Sequence, residues 1–136
     1  MGFELREHTA DIAVEATGET LGDAFAATAD GMAAAMCESW PDDGQRRELT
    51  VTAEGREALL FDYLDELIYE RDVRDVLPVD NEGKVEQEGD EWRFSGSYRG
   101  VPLSAVTARD LKAVTYSEMA VEKTDACWET YVVFDV

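Results

Sequence analysis

Two segments with helical periodicity stand against about seven short alternating segments, most of them joined by tight turns, and that pattern predicts an α+β fold. Two helices should pack on one face of a largely antiparallel or mixed β-sheet, forming a two-layer sandwich. Three observations carry the expectation: apolar spacing from Leu21 to Met36, an apolar stripe through Leu60, Leu64, Leu67 and Ile68, and a Gly89-Asp90 turn between two alternating runs. At 136 residues and 45% hydrophobic content, residues 1–136 are expected to form one globular domain around one core.

Phe3-Leu5 and Ile12-Val14-Ala16 alternate, so two short strands should flank the turn His8-Thr9-Ala10-Asp11. Thr20 offers a helix N-cap, and Asp23 suits the positive end of the helix that follows. That helix should run to about Cys37, with Leu21, Ala24, Phe25, Thr28, Met32 and Met36 at helical spacing. Pro41-Asp42-Asp43-Gly44 breaks the chain, and Glu48–Ala53 reads as a strand with Leu49, Val51 and Ala53 on one face. The second helix is expected over about Arg56–Arg71, with Asp62, Asp65, Glu66 and Glu70 mostly on its solvated side. After Leu77-Pro78 come strands Lys84–Glu88 and Trp92–Tyr98, where Trp92, Phe94 and Tyr98 share a core-facing side. A short irregular or helical piece fits Ser104–Asp110. A strand then starts at Lys112–Tyr116 and reaches about Lys123, and Trp128–Val136 forms the last one.

Composition narrows the function classes. The net charge is −19, and only three of the twelve bases are lysines (Lys84, Lys112, Lys123). A dense acidic surface over an ordinary core suits very high salt, where the Debye length shrinks to about 3 Å and self-repulsion is screened. The melting temperature should therefore fall when salt is diluted from molar to about 0.1 M; a flat or rising value would refute the high-salt reading. No basic cluster extends beyond Arg46-Arg47, which disfavours direct nucleic-acid binding. No positively charged start precedes an apolar run, and no apolar stretch approaches bilayer length, so a cytoplasmic protein with no membrane contact is expected. Cys37 and Cys127 are isolated; reduced thiols and a single bridge both fit.

Nucleophilic catalysis would have to use His8, the only histidine, and neither Ser nor Cys lies in a recognisable elbow. One His and two distant Cys make no zinc pattern. Gly18, Gly22 and Gly31 are scattered and form no phosphate loop. What remains is an oxygen-ligand cation site. Asp135 and the terminal carboxylate of Val136 sit one residue apart on a strand, with Asp11 at another strand edge. Carboxylates that close repel unless a cation or donor lies between them. A solvated strand end with mild repulsion is the other reading.

Four stretches occur in order along the chain: His8-Thr9-Ala10-Asp11-Ile12, Glu57-Ala58-Leu59-Leu60-Phe61-Asp62-Tyr63-Leu64, Lys112-Ala113-Val114-Thr115-Tyr116 and Phe134-Asp135-Val136. Together they resemble the archease family, small proteins that assist the GTP-dependent tRNA-splicing ligase, over essentially the whole chain. The resemblance implies a non-enzymatic activator. It would promote attachment of GMP to the ligase's active-site histidine, permit multiple turnovers and broaden the nucleotide triphosphates accepted. It also implies a divalent cation, Ca²⁺ first with Mg²⁺ or Mn²⁺ as alternatives, held by Asp11, Asp135 and the Val136 carboxylate. His8 would orient the Asp11 turn or touch the partner, and Lys112 with Tyr116 would form a contact patch or pack as an ordinary Lys–Tyr pair. Ser117 stands where the family usually has a histidine directly after the Lys112–Tyr116 stretch, so any role of that histidine is lost or weakened here. The rival reading, from another class, is a small metal-dependent hydrolase of phosphoesters built on Asp11 and Asp135.

Overall fold

The computed structural model describes residues 2–7 and 11–136. In chain order these form β1 (Gly2–Glu7), β2 (Asp11–Gly18), α1 (Leu21–Met36), β3 (Gln45–Ala53), α2 (Arg56–Arg74), β4 (Val76–Glu88), β5 (Glu91–Pro102), β6 (Ala113–Lys123) and β7 (Trp128–Asp135). A short 3-10 turn at Leu103–Ala105 occupies the segment expected to be irregular or helical. The expected α+β architecture holds: two helices pack against antiparallel strands. The strands divide into two sheets, a four-stranded one in the order β1-β2-β7-β6 and a three-stranded one in the order β3-β5-β4.

Helix α1 starts where the sequence says it should, because Thr20 Oγ1 accepts from the Asp23 N–H at 3.0 Å. Its alanine-rich composition has a packing cause: only Asp23, Asp30 and Ala34 escape full burial. Gly22 and Gly31 lie about half a turn apart around the axis. A Cβ on Gly22 would sit 2.5 Å from Gly83 O of β4, and one on Gly31 would sit 2.5 Å from Val14 Cγ1 of β2. The helix therefore runs between the two sheets, and small residues allow backbone approach on both sides. Thr28 Oγ1 donates to Ala24 O at 2.8 Å and lies 2.6 Å from Thr130 Oγ1. A hydroxyl carries one proton, so Thr130 is the donor of that second bond.

Helix α2 runs one turn beyond the expected Arg71 and stops at Asp75, which takes a left-handed conformation (φ 53°) that Asp tolerates. It buries Leu59, Leu60, Tyr63, Leu64, Leu67, Ile68 and Arg71. Between the helices and the three-stranded sheet, Phe94 stacks on Tyr63 with centroids 4.1 Å apart and on Phe25 at 6.2 Å. Phe94 and Tyr98 are fully buried, as their alternation predicts, while Trp92 is half-buried.

Strand β4 starts eight residues earlier than the sequence pattern suggests, at Val76 rather than Lys84. The reason is a bulge: the register slips between Val79 and Glu82, and Asp80 has φ 48°. Both sides of the bulge are pinned. Outward, Arg99 Nε and Nη2 donate to Asp80 Oδ2 at 2.8 and 2.6 Å. Inward, the Asn81 N–H and Nδ2 both donate to Asp30 Oδ1 at 2.9 Å, and Tyr63 Oη donates to Asn81 Oδ1 at 3.1 Å.

Burial pushes the Asp30 carboxyl above its ordinary range, against the pull of the two Asn81 donors. With the folded value above the unfolded one, the native state holds a proton that the unfolded state has lost, so stability falls as pH rises through that window. Asp30→Asn keeps the acceptor oxygen and removes the ionisation. Its melting temperature should gain on the original's as pH goes from about 4 to 7; parallel curves would show that Asp30 pays no burial cost.

Candidate functional site

Antiparallel register brings together two residues 124 positions apart in sequence: Asp11, which opens β2, lies directly opposite Asp135, which closes β7. Asp135 also lies opposite Ala113 of β6. Residues directly opposite on neighbouring strands project from the same face, with Cβ atoms about 5 Å apart. Asp135 is exposed, Asp11 is half-buried and its Oδ1 is shielded from solvent. Val136 turns the other way and packs against the hydrophobic core, fixing the strand end one residue past Asp135.

Lys112 joins this corner through its backbone, whose N–H donates to Asp135 O at 2.9 Å, and its side chain is exposed. Tyr116 does not join it. It stacks on Phe61 of α2, with centroids 4.2 Å apart and planes 4° from parallel. His8 lies outside the described residues. β6 slips register between Thr115 and Ala120, with Glu118 at φ 60°, and Ser117 falls in that irregular stretch.

Could this corner hold a cation? Among the described residues, no group of three or more Asp, Glu, His or Cys side chains is arranged to hold a metal. The register does supply two carboxylates on one face, the kind of hard oxygen donor that Ca²⁺ or Mg²⁺ takes. An ion here would rest on Asp11 and Asp135, the Val136 carboxylate and water. The donor chemistry fits and the donor count is low.

Next to this corner a cleft of about 950 Å³ opens at the C-terminal end of α1, lined among others by Leu5, Ile12, Met36, Trp40, Val106 and Arg109. Arg109 lies in its wall, and Arg71 braces the lining residue Met36 from the buried side, with Nη1 3.3 Å from Met36 Sδ. α1 has no basic residue in its last turn. Arg109 supplies the missing donors from 74 residues away: its Nε donates to Ala35 O at 2.8 Å and its backbone N–H to Met36 O at 2.7 Å. Arg71 is buried and donates to Leu111 O at 2.9 Å, with Asp72 Oδ1 at 2.9 Å and Asp110 Oδ1 at 3.4 Å completing its shell. Sequence reasoning missed both clamps. The absence of a basic residue or a glycine at the end of α1 was the available signal.

Arg46, Arg47 and Arg74 share a surface hollow with Glu48, Glu70 and Glu82, so the signs alternate there. Glu70 is an exception to the solvated acids expected on α2. Desolvation pushes its carboxyl up, but the Tyr98 hydroxyl at 2.7 Å and Arg74 Nε at 2.9 Å outweigh that and hold it below its ordinary range. Cys37 and Cys127 are both free thiols, and no helix among the described residues is long and apolar enough to cross a membrane.

Residues 3–136 match the family described as Archease protein family (MTH1598/TM1083). Protein archease of Archaeoglobus fulgidus is 36% identical, with 100% of each chain covered. Protein archease of Methanosarcina mazei is 32% identical over 98% of this chain and 95% of its own. The solution structure of Methanobacterium thermoautotrophicum protein 1598 superposes with a TM-score of 0.86 at 29% identity, covering 99% of both chains. The crystal structure of a Thermotoga maritima archease, described as a possible chaperone, shares the fold with a TM-score of 0.64 at 24% identity over 98% of this chain and 96% of that one.

Proposed function

This chain belongs to the archease family, and from that premise we propose that it is a non-catalytic, cytoplasmic protein cofactor of the tRNA-splicing RNA ligase. It promotes guanylylation of the ligase catalytic subunit, allows multiple turnovers and broadens nucleotide triphosphate use. The observation that carries this reading is the Asp11–Asp135 pair, two carboxylates set side by side where β2, β7 and β6 meet. Asp11, Asp135 and the Val136 carboxylate would hold a divalent cation, Ca²⁺ before Mg²⁺ or Mn²⁺, and that ion would supply positive charge for anionic groups. The protein's own part is positioning. β-sheet pairing fixes the spacing of the two aspartates, the Lys112 N–H holds the strand end at Asp135, and the core contact of Val136 keeps that end from fraying.

The test is turnover of the purified cognate ligase with GTP and divalent metal in high salt, with and without this protein. Addition should convert a single round of guanylylation and joining into many; an unchanged ligase would overturn the proposal. The isolated protein should neither hydrolyse GTP nor join RNA, because it carries no phosphate loop and a single histidine. Robust phosphoester turnover by the pure, metal-loaded protein, abolished by His8→Ala, would identify a hydrolase instead.

A further inference from the structure

The outward side of α2 departs from a plain solvated helix face. Phe61, Asp65, Tyr69 and Val73 follow one another four residues apart, which places them in one row along the helix. Tyr69 is 57% exposed and Val73 58%, and Tyr116, reaching over from the edge strand β6 to stack on Phe61, is 55% exposed. These are three of the five large apolar or aromatic residues left exposed among the described residues.

Carboxylates lie within and beside the row. Asp62 and Asp65 are exposed, Glu66 is half-exposed, and among the described residues no lysine or arginine pairs with any of them. The acids crowd one another: burial, then Glu70 and Asp65, push the Glu66 carboxyl above its ordinary range. Burial, then Asp62, likewise raise the Tyr116 hydroxyl. The phosphates of a nucleic acid or of an anionic membrane would be repelled here. A protein face that sets arginine or lysine among apolar side chains would be complementary, because its cations meet the carboxylates and stack on tyrosine while its apolar groups cover Tyr69 and Val73.

We propose that Tyr116, Phe61, Tyr69 and Val73, set among Asp62, Asp65 and Glu66, form the surface on which the partner protein docks, through a face of that partner carrying arginine or lysine. The placement suits the proposed function, on which this inference rests. Tyr116 lies three residues along β6 from Ala113, which is opposite Asp135, so the docking row starts about 10 Å from the paired aspartates. The paired aspartates project from the other face of the four-stranded sheet, so a partner seated on α2 would reach them around the β6 edge.

The experiment measures the affinity of the full-length protein for the purified cognate ligase in high salt, alongside ligase turnover. Tyr69→Ser with Val73→Ser removes two exposed side chains that hold no part of the core, so the double variant should melt like the original and bind at least about tenfold more weakly. Asp62→Asn with Asp65→Asn should also weaken binding. Glu88→Gln with Asp90→Asn, which removes equal charge at the β4–β5 turn, should leave binding unchanged. If the original protein fails to bind the ligase, the ligase reading falls and this face loses its assigned partner. If the original binds and the Tyr69/Val73 variant binds equally well, the ligase reading stands and the docking surface lies elsewhere. If the Glu88/Asp90 variant weakens binding as much as the Asp62/Asp65 one, overall charge rather than this face governs association, and the proposal is overturned.

Discussion

Asp135→Asn should raise the stability of the metal-free protein slightly and abolish most of its stimulation of the ligase. The two effects have opposite signs for one reason. Asp135 faces Asp11 across the β2–β7 ladder, and like charges directly opposite are unfavourable by roughly 0.2–1 kcal/mol. Asparagine removes that repulsion and keeps the side chain's size, so the melting temperature should hold or rise. A cation shared by the two aspartates loses a charged donor, and since changes one shell further out already cost 10- to 100-fold in metal affinity, a direct ligand should cost at least about 100-fold. Titration calorimetry with Ca²⁺ and a guanylylation assay check the two halves separately. Adding a short flexible extension after Val136 replaces the terminal carboxylate with a peptide carbonyl and should likewise reduce metal binding. A purely structural Asp135 would give a different pattern: the Asn variant would melt lower and stimulate the ligase as well as the original does.

Gly22→Ala is the second large effect, and here the fold itself is weakened. Alanine is the better helix former by about 1 kcal/mol. Its Cβ, however, would lie 2.5 Å from Gly83 O and 2.6 Å from Lys84 Cα, backbone atoms of β4 that cannot rotate away. Overpacking of this kind costs about 1–3 kcal/mol and sometimes more, so against the helix gain we expect a net loss of roughly 1–2 kcal/mol and a melting temperature lower by several degrees. Gly2→Ala, where nothing lies within 4 Å of the new atom, should not move it. Thermal unfolding of both variants at one salt concentration is sufficient; equal melting points would mean that α1 does not press on β4 as described.

Local signals in the sequence located most elements. Thr20 marked the start of α1, Gly89-Asp90 marked the hairpin between β4 and β5, and the alternation of Phe94 and Tyr98 marked the core side of β5. The first half of β4 escaped, because Leu77-Pro78 and the left-handed Asp80 interrupt the alternation that identifies a strand. The division into two sheets escaped for another reason. It depends on α1 being small-sided on two opposite faces, and an alanine-rich run shows helical period without showing how many neighbours surround it. At the candidate site, the residue types were legible in the strand ends, but the pairing of Asp11 with Asp135 is a long-range register that no local pattern encodes. The uncapped end of α1 was legible, but not that Arg109 closes it or that Arg71 holds Leu111 O, since each reaches carbonyls of a segment far away in sequence.

The strand order of the four-stranded sheet also has a consequence during synthesis. Its central pair joins residues 11–18 to residues 128–135, while the three-stranded sheet needs only residues 45–102. As the chain leaves the ribosome, the strands of the smaller sheet are all available while β2 still presents an open edge until β7 is made. A released chain truncated before residue 128 should therefore protect backbone amides in β3, β4 and β5 from exchange and leave exposed those β2 amides that face β7 rather than β1. Asp11 acquires its neighbour only when β7 arrives, so the candidate site cannot form before residue 135 has been made.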